Sequence, residues 1–404
     1  MIMVTQDKPN KKSNIAMVAY TEYVRDPRVR RYAESLIRNG YQVDCFVLSE
    51  SNKPNNQIIN GVSLHHLNIL QYRGNSNFSY ILSYLKFFFL AQIALLKNLF
   101  KNYTVIHVHN MPDFLVFSTI INRLFGSKII LDIHDNMPEL YLEKFKSFWG
   151  IFFYKLLLFQ EKISCHYVHK VITVHIPHLE YNIKYHGLNR TKSIVIPNFA
   201  DKNLFNNKFS NKGHTKNLNE FRMIYHGTIA DRFGLVVVLK ALKKVIKTFP
   251  LVRLDIYGKG DGVPDLEYWI KKLQLSKIVK YHGQIELDKI PQKILQADLG
   301  IVTYLHSEAT KLMLPLKLME YIAMEIPILT VKNIPISYYF NSNELVFYRA
   351  NDPDSFFNKL INLIKSPEEL TRLKSKSQLI NKRLNWDNEE SKYIKLISQL
   401  SGKY

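Results

Sequence analysis

Short β-branched runs followed by longer helix-like segments recur along nearly the whole chain, and this alternation most narrows the fold. It is the pattern of βαβ units, which assemble into parallel sheets covered by helices. A first set runs through NIAMVAY (Asn14 to Tyr20), VDCFVL (Val43 to Leu48), SLHHLNI (Ser63 to Ile69), VIHVHN (Val105 to Asn110), KIILDIHD (Lys128 to Asp135), KVITVH (Lys170 to His175) and SIVIPN (Ser193 to Asn198). The texture then changes. Asp201 to Glu220 is rich in Asn and Lys and poor in apolar residues, and it reads as a linker or surface excursion. The alternation restarts with RMIYHG, VRLDIYGKG, IVKYHGQI, LGIVTYL and IPILTV. A chain of 404 residues suits two domains, each with its own core. The expected division is therefore residues 1–204 and 205–380, with a C-terminal helix over 381–404.

In an open parallel sheet, ligands bind beyond the carboxyl ends of the strands. In the first half those ends present Asn110, Asp113, His134, Asp135 and His175; in the second they present Gly227, Arg232, Gly258, Lys259, Gly260 and Glu308. If the two sheets face each other, these groups line one cleft.

Charge narrows the partners. Fifty-five Lys and Arg against 34 Asp and Glu give a formal net charge of +21. Such a balance favours polyanions, whether nucleic acid, an anionic membrane surface or phosphorylated substrates. No helix-turn-helix, zinc or RNA-binding pattern accompanies it, so nucleic acid is not the expected partner. The two cysteines, Cys45 and Cys165, lack metal-ligand or disulfide-framework spacing, and a reducing cytosol fits them best. The N-terminal stretch has no apolar core followed by a small-residue cleavage site, so no signal peptide is expected.

Two segments are unusually apolar and aromatic: Tyr80 to Phe100 and Phe148 to Phe159. Lys86, Gln92, Lys97 and Asn98 interrupt the first, so a spanning helix, which needs roughly 20 apolar residues, is not expected there. Both segments read either as helices packed on a sheet or as helices lying flat in a headgroup layer, with lysines towards anionic lipid.

Several short motifs carry chemistry. YHGTIADRFGL and YGKGDG each place glycine at a strand end ahead of a cation, an arrangement in which Arg232 or Lys259 neutralises a diphosphate beside a helix N-terminus. In LPLKLMEYIAMEIPIL, Pro315 opens a helix and puts Lys317 and Glu320 on one face. The Glu suits ribose hydroxyls; the Lys suits phosphate. A surface ion pair is the plainer reading of the same spacing. His134, Asp135 and Glu139 close the run LDIHDNMPEL, either as a helix cap or as a site. Arg25, Arg28 and Arg31 follow the first strand and read either as a solvated helix face or, with Asn110, as contacts to a phosphate of the acceptor or donor.

Taken in order, these motifs resemble the retaining GT-B glycosyltransferases of family GT4, of the surface-polysaccharide type. PLKLMEYIAMEIPIL is similar to the donor-site signature P-x-K-x-x-E-Y-x-A-x-G-x-P, and IYHGTIADRFGL and LDIYGKG resemble the phosphate loops of the second domain. DPRVRRYAESLIRNGYQV, VIHVHNMPDFL and ILDIHDNMPELY resemble the first domain. The resemblance implies an α/β GT-B fold with two Rossmann-like domains across a cleft, the C-terminal helix packing back on the first. It implies that Glu320 binds the nucleotide ribose, that Arg232 with Lys259 or Lys317 holds the diphosphate, and that His134 approaches the donor sugar. Asp135 or Glu139 then orients the acceptor. The expected donor is a UDP- or GDP-sugar, with Arg and Lys in place of a metal and no other cofactor. The expected acceptor is a lipid-linked glycan at the cytoplasmic face of the membrane. Two positions depart from the signature. The first Glu of the family's Glu-x7-Glu is replaced by Leu312, with Glu308 four residues earlier as its nearest substitute for a sugar-hydroxyl contact, and the glycine of A-x-G-x-P is Glu325. A sugar-nucleotide epimerase on the same fold, and a basic nucleic-acid binder, are the competing readings.

Overall fold

The computed structural model describes residues 13–50, 54, 56–72, 77–144, 148–206 and 220–402. Most of the expected linker, and the N-terminal stretch, lie outside the described residues. The chain divides into two compact units, Met1–Pro197 with Glu389–Tyr404, and Asn198–Asn388.

In the first unit, β1 (Asn14–Val18), β2 (Gln42–Leu48), β3 (Asn56–Ile59), β4 (Val62–Leu67), β5 (Val105–His109), β6 (Lys128–Ile133), β7 (Lys170–Thr173) and β8 (Ser193–Val195) form one sheet. Their order is β3-β4-β2-β1-β5-β6-β7-β8, parallel except for β3 against β4. The central strands are buried on both faces, which is why they read as unbroken apolar runs. Strand β3 is not among the runs legible in the sequence. It pairs through a tight turn at Asn60-Gly61, where both residues take positive φ, and that dipeptide is its one local signal.

In the second unit, β9 (Phe221–His226), β10 (Val252–Tyr257), β11 (Val279–Tyr281), β12 (Leu299–Val302), β13 (Ile328–Val331) and β14 (Val346–Tyr348) form an all-parallel sheet in the order β11-β10-β9-β12-β13-β14. Both sheets start at the centre and grow outward in both directions. Strand order therefore reverses at β1/β5 in one and at β9/β12 in the other, and loops following those strands diverge to leave a crevice.

The two aromatic segments form the helices Asn77–Lys97 and Phe148–Tyr167, both packed against the segment Asp113–Thr119. Each divides its residues between two faces. Ser83, Phe87, Ala91 and Leu95 are buried on the sheet, whereas Ile81, Leu82, Leu85, Phe89, Ile93 and Leu96 are exposed. On the second helix Ile151, Phe152, Leu156, Phe159 and Ile163 are exposed. By length and composition Ser79–Lys97 is apolar enough to cross a membrane, although its polar residues led to the expectation that it does not; three of them, Lys86, Gln92 and Lys97, fall within the 21-residue helix and do not lower its apolar character enough.

Candidate functional site

In the second unit the loops after β9 and β10 are held together by backbone. Gly227 N–H donates to Tyr257 O at 2.9 Å, and Ile229 N–H donates to Lys259 O at 2.9 Å. That approach is what the glycines serve. A Cβ at Gly258 would stand 1.8 Å from Gly227 O, and one at Gly260 would stand 1.9 Å from Ile229 O. Both have positive φ as well, 148° and 158°. The immediate neighbour of both glycines is the adjoining loop.

Over that platform sits the helix Leu316–Ala323, which starts after Pro315. Its position is fixed by Tyr321, whose ring fills the space a Cβ at Gly300 would occupy and whose hydroxyl donates to Ile224 O at 3.1 Å. Lys317 and Glu320 are thereby brought to Gly227, not to the surface. The Lys317 Nζ lies 3.7 Å from the Tyr225 ring centre and would be 3.4 Å from a Cβ on Gly227. Glu320 is buried, with Oε2 3.2 Å from His226 Nε2.

Loss of water dominates the electrostatics here. It pushes the Lys317 ammonium down to about 7, against the opposing pull of Glu320. Burial and then the Lys317 charge push His226 down to about 3, so the imidazole is neutral. Arg232 completes the group from the short turn Asp231–Phe233, its guanidinium 4.9 Å from the Phe233 ring and its buried Nε without a hydrogen-bond partner. Lys317 Nζ is 5.4 Å from the same ring. Gly227, Arg232, Lys317 and Glu320 thus converge at the β9/β12 switch point, with Gly258, Lys259 and Gly260 on the neighbouring loop. Two cationic side chains with a carboxylate beside them can hold an anion joined to a polyol. Glu308 is different: it is exposed and paired with Lys311, while Leu312 is half-buried.

In the first unit His134 and Asp135 are half-buried at the end of β6. Asn110 ties them to β5, its Oδ1 accepting from His134 N–H at 3.1 Å and its Nδ2 donating to Asp135 O at 2.8 Å. Glu139 does not join them at the surface. It is buried, with Oε1 2.9 Å from His186 Nε2 and accepting from Tyr181 Oη at 2.9 Å. His186 Nδ1 in turn lies 2.8 Å from Glu161 Oε1. Burial alone would lower the imidazole, but hydrogen bonds to Glu139 and Glu161 outweigh it and raise His186 to about 10. Asp113, also buried, is pushed up to about 8 by burial and by Glu161. No local spacing pointed to this cluster, because Glu139 and His186 lie far apart in sequence. His175 is also buried, capping the helix Ile176–Tyr181.

Of the three arginines expected to reach a phosphate, Arg25 is exposed and the other two are not. Arg28 and Arg31 are buried. Arg28 donates from Nε and Nη2 to both oxygens of Asp132, each at 2.7 Å, and Arg25 pairs with Glu22. Burial would raise the Asp132 carboxyl, yet Arg28 and His109 hold it well below the usual carboxylate range. Asp132, His107 and His109 are, among the described residues, a group whose ligand atoms all lie within 4.8 Å. The guanidinium on both Asp132 oxygens leaves that carboxylate already neutralised, and His107 Nδ1 is 3.0 Å from Tyr393 Oη in the returning C-terminal helix.

Residues 206–379 match the family model of glycosyl transferases group 1, and residues 28–204 match that of glycosyltransferase family 4. No curated protein matches in sequence. Among solved structures, sucrose-phosphate synthase from Thermosynechococcus elongatus aligns with a TM-score of 0.78 at 16% identity over 97% of this chain and 100% of its own. HepE from Anabaena, solved with UDP and glucose, aligns at 0.71 and 14% over 95% and 99%. WaaG, a glycosyltransferase involved in lipopolysaccharide biosynthesis, aligns at 0.71 and 13% over 95% and 99%. At such identities the likeness is one of fold. With glycosyltransferase family models matched in tandem over both units and that fold shared along its length, the chain is a glycosyltransferase of the GT-B type.

Proposed function

We propose that this chain transfers a sugar from a UDP- or GDP-sugar to a lipid-linked glycan acceptor, with retention of configuration and without a metal, in surface-polysaccharide or glycolipid synthesis. The observation that carries the donor half is the convergence of Arg232, Lys317 and Glu320 on Gly227 at the β9/β12 switch point. In this reading Glu320 accepts the ribose hydroxyls. Arg232 and Lys317, with Lys259 on the adjoining loop, hold the diphosphate and stabilise the charge that builds on it as the glycosidic bond breaks. The acceptor hydroxyl attacks from the same face and passes its proton to the departing phosphate oxygen. His134 attends the donor sugar and Asp135 the acceptor.

The acceptor half draws on a surface. The segments Asn77–Lys97, Ile120–Phe125 and Phe148–Tyr167 expose large apolar side chains together with Lys86, Lys97, Lys155 and Lys162. Their one acid, Glu161, is buried on His186. An apolar face ringed by cations and free of exposed acids suits an anionic bilayer at its cytoplasmic side. The test is incubation with UDP- and GDP-sugars and a bacterial lipid extract, with and without EDTA, followed by NMR of the new anomeric centre. Transfer with the donor's anomeric configuration kept, and undiminished by EDTA, supports the proposal. An inverted product, a strict metal requirement, or a modified sugar nucleotide formed without acceptor would contradict it.

A further inference from the structure

Between His134 and Glu139 the chain turns out of β6 into the helix Met137–Lys144, and side chains from other elements tie that turn down. Asn110 takes the backbone of its first two residues, accepting from His134 N–H and donating to Asp135 O. Asn136 Oδ1 accepts from His178 Nε2–H at 2.6 Å. Burial, and then the neighbouring His175, hold His178 neutral, so its imidazole carries one N–H and gives it to Asn136. Glu139 closes the turn. Its Oε1 accepts from His186 Nε2 at 2.9 Å, from the Tyr181 hydroxyl at 2.9 Å and from the Tyr154 hydroxyl at 3.4 Å. We propose that Glu139 is a positioning residue, which fixes the turn under His134 and Asp135 and does not itself touch the acceptor. The inference rests on the roles given above to His134 and Asp135, and it separates Glu139 from them.

Burial and hydrogen bonding decide the assignment. His134 and Asp135 are half-buried, whereas Glu139 is 3% exposed, so the first two can meet a substrate while the turn stays closed and the third cannot. The Glu139 Oε1 already serves three donors, and Oε2 is shut off from solvent. Those donors come from far along the chain. Tyr181 ends the helix Ile176–Tyr181, His186 ends the turn Asn182–His186, and Tyr154 stands on the helix Phe148–Tyr167. His186 Nδ1 donates in turn to Glu161 Oε1 at 2.8 Å, so one imidazole spans two carboxylates and locks the helix Met137–Lys144 to the helix Phe148–Tyr167. Asp113, beside Glu161, Asn110 and His186, joins the same frame from the segment after β5. A turn held in this way keeps its side chains in one orientation before substrate arrives, and a displacement of about 1 Å costs about a hundredfold in rate.

The test compares Glu139→Ala, Glu139→Gln and Tyr181→Phe with the unsubstituted chain. Glutamine keeps an oxygen for Tyr181 and His186 and drops only the charge; phenylalanine removes one hydroxyl and keeps the ring. Each protein, carrying isotope-labelled histidine, is read by NMR at the His134 imidazole. Each is also assayed for transfer from UDP- and GDP-sugars to a bacterial lipid extract, and melted with UDP and GDP. Glu139→Ala should move the His134 signal and lower kcat by about tenfold or more, Tyr181→Phe should lower it by about threefold, and Glu139→Gln should keep it within about twofold. The melting shift given by nucleotide should be the same in every variant, because Glu139 and Tyr181 lie outside the second unit. An unmoved His134 signal in Glu139→Ala overturns the proposal, since nothing was then positioned; if that variant does not fold, an unmoved signal in Tyr181→Phe overturns it instead. A Glu139→Gln protein as inactive as Glu139→Ala also overturns it, since the charge itself is then in use. If the His134 signal responds as expected while no donor supports transfer, the positioning stands and the reading of donor and acceptor fails.

Discussion

At the scale of single residues, Lys317 makes the proposed donor site sensitive to pH in a definite sense. Its ammonium is pushed down to about 7 by loss of water over Tyr225, so a neutral-pH sample holds a mixture of charged and uncharged forms. A diphosphate binds the charged form, and binding therefore takes up a proton. Nucleotide affinity should fall as pH rises from 6 to 8 in calorimetric titrations, and Lys317→Arg, always charged, should flatten that slope. A second residue shows local strain. Glu325, where the resemblance calls for glycine, has φ of 58° just past the helix Leu316–Ala323, and its Oε2 accepts from Gln378 Nε2 at 2.7 Å. Relief of left-handed strain exceeds the loss of one exposed hydrogen bond, so Glu325→Gly should raise stability by up to about 1 kcal/mol in urea unfolding. Both residues were visible in the sequence because a motif fixes their neighbours along the chain. Glu139 was visible too, but not its surroundings: its burial depends on His186 and Tyr181, which only the fold brings to it.

Elements bring in the buried charge cluster that joins the helix Met137–Lys144 to the helices Phe148–Tyr167 and Ile176–Tyr181 and to the turn that carries His186. The imidazolium of His186 lies between Glu139 and Glu161 and is raised to about 10, above its unfolded value of 6.5. Its contribution is full below pH 6.5 and is lost as pH rises through about 10. Asp113, raised to about 8 from 3.8, acts in the same direction over a lower window. Stability of the first unit should therefore decline from pH 7 to 10, at about 1.4 kcal/mol per pH unit for each proton retained on folding. Denaturant melts across that range check this, and His186→Gln should remove most of the slope; a flat profile in the unsubstituted protein would sink the assignment. Legibility also differs among elements. The central strands declare themselves because burial on both faces leaves no room for polar residues. Strand β3, with alternating partial exposure, does not.

On the scale of the whole molecule, net charge of +21 and the exposed apolar helices of the first unit act together. The sequence left open whether these helices are buried or meet lipid, because their moments are small and apolar residues occur all around them; the fold buries one stripe and exposes the other. Flotation with vesicles containing about a third anionic lipid should recover the protein, and neutral vesicles should not. Leu85→Glu with Phe159→Glu should abolish recovery while leaving nucleotide binding intact, since neither residue lies in the second unit.

The proposed donor site binds the nucleotide of a sugar donor through Arg232, Lys317 and Glu320. Its most direct test is thermal stabilisation by UDP, GDP, ADP and CMP and their sugar conjugates, with Glu320→Ala alongside. A ligand that binds only the folded protein raises its stability, so one base should shift the melt and the variant should lose that shift. Absence of a shift with every nucleotide, or a shift that Glu320→Ala leaves unchanged, would contradict the account.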